Sequence, residues 1–238
     1  MLFAVFRFRV DADGRQLLGP LARRGGYLLV GAIHRGWMDP LLVLHALPTQ
    51  PRPWFLGSGA SAFDQPWKEF LLRRLGGILP VWRGGVGIEQ HLGSARAVLS
   101  AGGVFVLFPE GGIAGPVGEL SAFRQGAALI ALRTGAPIVP LVIVGSEELY
   151  LGRRMATRLL APTSARELLA EGPEWAPPEA GSRAELDVAR RLTERFEDVL
   201  GSQVRALAPT VVDRPGRRRW GRGLTWLLIS RKGPGPGS

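Results

Sequence analysis

His34 and Asp39 stand five positions apart in His34-Arg35-Gly36-Trp37-Met38-Asp39, and the two side chains together suit base catalysis. A neutral imidazole, with an ordinary pKa of ~6.5, can take a proton from a hydroxyl at neutral pH. A carboxylate on its other ring nitrogen fixes the tautomer and stabilises the imidazolium that forms. Such a base contributes ~10²–10⁴ in rate. The spacing alone is a weak signal, since three His and seven Asp in 238 residues produce it by chance about one time in eleven. Asp39 could equally cap the helix that Pro40 opens. Two other segments carry reactive groups: Val81-Trp82-Arg83 offers a guanidinium, and Phe108-Pro109-Glu110-Gly111-Gly112 a carboxylate beside glycines that permit close approach. If the strands leading into all three are parallel neighbours, imidazole, guanidinium and carboxylate converge on one crevice.

Several chemistries are excluded. The chain has no Cys, so neither a disulfide framework nor a thiolate nucleophile or metal site is possible. It has no Gly-x-Ser-x-Gly elbow, and Gly84-Gly85-Val86-Gly87 fits neither a dinucleotide fingerprint nor a phosphate loop. His45 and His91 are isolated and read as core or surface residues, so no metal is expected. A base at His34 would therefore act on the substrate's own hydroxyl.

The elements that must position these groups are readable. Apolar runs bounded by Gly or Pro predict buried strands at Tyr27–His34, Pro53–Gly57, Ile78–Trp82, Val104–Phe108 and Ile138–Val144. Helical patterns lie between them: residues 40–47, residues 62–75, a stripe of Ile88, Leu92, Ala95 and Leu99, and residues 121–134, stopped by Gly135 and Pro137. After an Arg-, Pro- and Gly-rich stretch, Ala184–Leu200 reads as an amphipathic helix with Leu186, Ala189, Leu192, Phe196 and Val199 on one face. The alternation predicts an α/β fold, a single domain whose mixed, largely parallel central sheet is flanked by helices. The expected division is an N-terminal arm at 1–26, the domain at 27–210 and a basic amphipathic tail at 211–238.

Formal charge is +10, but residues 214–232 hold seven cations and no acid, leaving the rest at 23 basic against 20 acidic residues. Trp220, Leu224, Leu227 and Leu228 would share one helical face of this tail, with Arg217, Arg218 and Arg222 elsewhere. That pattern suits the surface of an anionic membrane. An edge strand or a disordered tail remains open, because Gly221 and Gly223 weaken the helix. Aromatic and basic residues also interleave on single-strand nucleic-acid platforms, but the near-neutral body argues against a nucleic-acid partner. The start of the chain lacks the long apolar core of a secretory signal, and no run approaches the ~18 apolar residues of a spanning helix. A cytoplasmic protein, peripheral at the inner face of the cell membrane, is expected.

Four ordered blocks make the chain resemble the glycerolipid acyltransferases, which include the 1-acylglycerol-3-phosphate acyltransferases. They are His34 to Asp39, Gly77 to Arg83, Phe108 to Gly111, and Ile138-Val139-Pro140-Leu141, supported by Phe123-Arg124-Gln125-Gly126-Ala127. The resemblance covers about residues 27–150. It implies transfer of an acyl group from acyl-CoA or acyl-carrier protein, with no other cofactor, to the hydroxyl of a lysophospholipid. His34 would be the base and Asp39 its orienting partner. Arg83 would bind an acceptor phosphate, and Phe108, Pro109, Glu110, Gly111 and Gly112 would form the acceptor site. The family's third block usually continues Glu-Gly-Thr-Arg-Ser, whereas here Glu110 is followed by Gly111, Gly112, Ile113 and Ala114. Arg124 is the candidate to replace the missing phosphate ligand. An unphosphorylated lipid alcohol as acceptor, or a non-catalytic lipid-binding protein of the same fold, is the alternative.

Overall fold

Tyr27-Leu28-Leu29-Val30-Gly31-Ala32 has no charged residue to turn toward water, and a strand of this kind is stable only where both faces are covered. In the computed structural model, which describes residues 7–32, 34, 38–58, 77–81, 88–111, 120–146 and 149–211, it is the middle strand of a seven-stranded sheet. The strands are β1 (Arg9–Asp13), β2 (Tyr27–Ala32), β3 (Pro53–Ser58), β4 (Gly77–Val81), β5 (Val104–Leu107), β6 (Ile138–Val144) and β7 (Arg154–Leu159), in the order β1-β7-β6-β2-β5-β3-β4. β6, β2, β5, β3 and β4 are parallel. β7 pairs antiparallel with β6, and β1 runs beside β7 in the same direction as it. The sheet is mixed and largely parallel, as the alternating pattern predicts.

The pleat divides the core in two. On one face, Tyr27 and Leu29 pack with Phe8, Leu18 and the buried side of α1 (Met38–Ala46). On the other, Leu28, Val30 and Ala32 meet α2 (Ile88–Ser100), α3 (Gly126–Thr134) and α4 (Arg183–Leu207). Arg15 fastens the end of α1: its guanidinium donates to the carbonyl of Ala46 at 2.9 Å and to that of His45. Arg133 ties the opposite layer together. It donates to the Glu185 carboxylate of α4 at 2.6 and 2.8 Å and also to Glu89 of α2. Among the described residues, no helix is long and apolar enough to cross a membrane.

Four differences from the sequence-based expectation have local causes. β1 and β7 carry charges at their exposed positions and so lack an apolar run. β1 lies inside the segment set off as an N-terminal arm, so part of 1–26 is an edge of the sheet, and Phe8 and Leu18 belong to the core. α3 begins at Gly126 rather than 121: in a helix from 121 the Arg124 amide would donate one turn back, to residue 120, but it donates to the Pro109 carbonyl, while the Glu197 carboxylate accepts from the Phe123 amide. α4 runs on to Leu207 through buried Leu200 and Val204, while Leu186, assigned to its apolar face, is exposed. The helix expected at 62–75 and the basic tail lie outside the described residues.

Candidate active site

α1 spans Met38–Ala46, so the helix already includes the residue before Asp39, which is therefore not its cap. Asp39 sits instead in the first turn, where the helix dipole favours a negative charge, and it is fully buried. Its Oδ2 lies 2.9 Å from Nδ1 of His34. His34 follows β2 after a single residue, and its side chain is 22% exposed. The pair therefore joins a carboxylate sealed from water to an imidazole that still reaches solvent. With Nδ1 engaged, Nε2 is the nitrogen left for a substrate.

β5 is the immediate parallel neighbour of β2, so the chain leaving β5 arrives beside His34. There Phe108–Gly111 closes a turn, the Gly111 amide donating to the Phe108 carbonyl at 3.2 Å. Gly111 has φ +68°, a conformation that disfavours residues with a Cβ. Glu110 is buried, and its two carboxylate oxygens lie 3.3 and 3.4 Å from the His34 backbone amide, which donates to them. Phe108 lies face to face with the imidazole, with ring centroids 4.5 Å apart and planes 17° from parallel. His34 is thus held at its ring nitrogen, its ring face and its backbone.

Arg124 joins this turn from the segment before α3. Its amide donates to the Pro109 carbonyl at 2.8 Å, and its exposed side chain crosses Gly111 so closely that a Cβ there would stand 2.5 Å from Nε. The structure thus brings His34, Asp39, Phe108, Pro109, Glu110, Gly111 and Arg124 together. Arg83 and Gly112 lie outside the described residues. The strands that lead to the three reactive segments are all parallel, but only β2 and β5 are neighbours; β3 and β5 separate β4 from β2. The expectation of three adjacent strand ends therefore holds for two. Among the described residues, no group of three or more His, Asp or Glu side chains is arranged to hold a metal ion.

A family model described as Acyltransferase matches residues 17–144, more than half of the chain. The chain belongs to the acyltransferase family. This agrees with the resemblance read from the four ordered blocks, all of which fall within the matched residues. The acyltransferase fold is similar to that in the crystal structure of the 1-acyl-sn-glycerophosphate (LPA) acyltransferase PlsC from Thermotoga maritima. The two share 22% identity over 86% of this chain and 75% of that one, with a TM-score of 0.58. Within this acyltransferase, the contact of Glu110 with the His34 amide had no local signal, because the two residues are 76 positions apart and meet only through β2–β5 pairing.

Proposed function

We propose that the protein transfers a fatty acyl group from acyl-CoA or acyl-carrier protein to the hydroxyl of a lysophospholipid such as 1-acylglycerol-3-phosphate. One observation carries the reading: a half-buried His34 hydrogen-bonded to a fully buried Asp39 at the carboxyl end of the central strand. Nε2 of His34 takes the acceptor's hydroxyl proton as its oxygen attacks the thioester carbonyl carbon. Asp39 stabilises the imidazolium through Nδ1. Collapse of the tetrahedral intermediate breaks the C–S bond, and the departing thiolate takes the proton back. No acyl-enzyme is required, in keeping with a chain that has no Cys. Arg124 at the Gly111 turn, with Arg83, supplies the planar guanidinium that phosphate recognition needs. The 1-acyl-sn-glycerophosphate acyltransferase activity of the Thermotoga maritima neighbour supports the same acceptor class.

A second acceptor class has its own support. Ile113 stands where the family usually places an Arg, which favours a less phosphorylated lipid alcohol. The test is purified protein given acyl-CoA with lysophosphatidic acid or with monoacylglycerol. Release of CoA and formation of the doubly acylated phosphatidate support the first reading, and product only from the unphosphorylated acceptor supports the second. His34→Ala should abolish either product. Lipid binding without thioester consumption would overturn catalysis. Residues 214–232 are proposed to hold the enzyme at the cytoplasmic face of the membrane through their cations and tryptophans. Truncation after Asp213 should abolish flotation with anionic liposomes, and unchanged, salt-insensitive binding would overturn that role.

A further inference from the structure

A hydrogen bond between Nδ1 of His34 and Asp39 leaves the imidazole some freedom. Small rotations about the Cα–Cβ and Cβ–Cγ bonds tilt the ring across that bond and swing Nε2 away from an acceptor. The packing around the ring removes that freedom from its face. Phe108 stacks on it, centroids 4.5 Å apart, and the position of Phe108 is in turn set by an empty place on the adjacent strand. The pairing of β2 with β5 ends at Val30 with Leu107, and Gly31 and Phe108 are the residues that follow. In a parallel pair, residues at the same level project to the same side of the sheet. A Cβ on Gly31 would stand 2.7 Å from Cε1 and 3.0 Å from Cδ1 of Phe108. Real Cβ atoms essentially never come that near, so the ring occupies the space that a side chain on β2 would fill. The conformation of Gly31 is not the reason for its identity, since its φ is not among the positive ones. The space is.

We propose that Gly31 and Phe108 are a positioning pair for His34: the missing side chain at 31 seats the Phe108 ring, and the seated ring fixes the direction of Nε2. The inference rests on the proposed role of His34 as base. It assigns Phe108 to the base rather than to the acceptor, and it adds Gly31, which no motif marks. Its chemical consequence is on the chemical step alone. A base aimed away from the hydroxyl loses rate without weakening binding, and misplacement of about 1 Å can cost up to ~10²-fold.

The pair is tested by a double-mutant cycle read two ways. Phe108→Leu should lower kcat about tenfold with KM within about twofold, and Gly31→Ala should lower kcat further by pushing the ring out of its seat. Gly31→Ala/Phe108→Leu should be no worse than Phe108→Leu alone, since the added methyl then has no ring to displace. Independently of activity, the His34 ring protons should show an upfield ring-current shift in the wild-type NMR spectrum. That shift should vanish in Phe108→Leu and shrink in Gly31→Ala; with three His in the chain, His34→Ala assigns the signal. Multiplicative losses in the double variant, or a His34 signal indifferent to Phe108→Leu, would overturn the pairing. If His34→Ala leaves turnover intact, the base reading fails while the spectroscopic cycle still reports on the pair. Should Gly31→Ala not fold, Phe108→Leu decides alone through its kcat–KM split and its spectrum.

Discussion

Asp39→Asn isolates the contribution of charge at the dyad. The two side chains are nearly the same size, so the fully buried site is refilled and the amide can still meet Nδ1 of His34. What disappears is the negative charge that, in the proposed mechanism, faces the imidazolium as the acceptor is deprotonated. Two unit charges ~4 Å apart at an effective dielectric of ~20 attract by about 4 kcal/mol. The 2.9 Å contact between Nδ1 and Oδ2 puts the pair in that range. At ~1.36 kcal/mol per decade, the loss is about 10³-fold in kcat. That is close to the ~10⁴ that amidating the orienting carboxylate costs a Ser-His-Asp triad. CoA release at saturating acceptor gives kcat, and thermal unfolding measured alongside guards against loss of fold. The expected result is activity lost at an unchanged melting temperature, with KM little altered because Asp39 lies behind the ring. A folded variant retaining more than a tenth of wild-type kcat would refute the reasoning, for His34 would then not be gathering positive charge beside Asp39.

Glu185→Ala should destabilise the fold by about 3 kcal/mol, or ~6–12 °C in Tm, because it strips a largely buried Arg133 of two charge-assisted bonds. Little change would mean that Glu89 alone sustains Arg133. The hydrogen bond from Arg133, chiefly, holds the Glu185 carboxyl below the usual carboxylate range. Its stabilisation is therefore complete above pH ~4.3 and lost as pH falls through the lower folded value, so urea midpoints of Glu185→Gln should fall less in that acid window than those of the wild type. The Tyr27 hydroxyl is buried without a hydrogen-bond partner among the described residues, and burial pushes its pKa up to about 12. Tyr27→Phe should therefore raise stability by about 1 kcal/mol in urea titrations, and a decrease would reveal a missed partner. Arg124→Ala should raise KM about tenfold for lysophosphatidic acid but not for monoacylglycerol; equal effects on both acceptors would remove Arg124 from phosphate recognition.

Much of the fold was legible because its parallel strands are covered on both sides. Burial forces runs such as Tyr27–Ala32 and Ile138–Val144 to be apolar throughout, and Gly or Pro marks their ends. β1, at the edge of the sheet, and β7 beside it escaped because charged residues interrupt their apolar positions. Asp11 and Asp13 face water, and Arg154 and Arg158 pair with them, so the sequence there looks like a solvated loop. The site divides along the same line. His34 and Asp39 meet within one strand-to-helix turn, which local spacing can reveal. The Glu110 contact, the Gly31 seat and the late start of α3 depend on which strands are neighbours, and no local pattern encodes that.

That division between near and remote contacts has a consequence in time. The bond between His34 and Asp39 closes a loop of five residues, whereas the grip of Glu110 on the His34 amide closes one of 76. Distant pairings are made late when a chain folds, since their closure entropy precedes their reward. A refolding chain can thus join His34 to Asp39 before it holds the pair in place. Catalytic activity should return only with the docking of β5 against β2, after helical signal has recovered, which makes turnover itself a reporter of when the centre of the sheet closes.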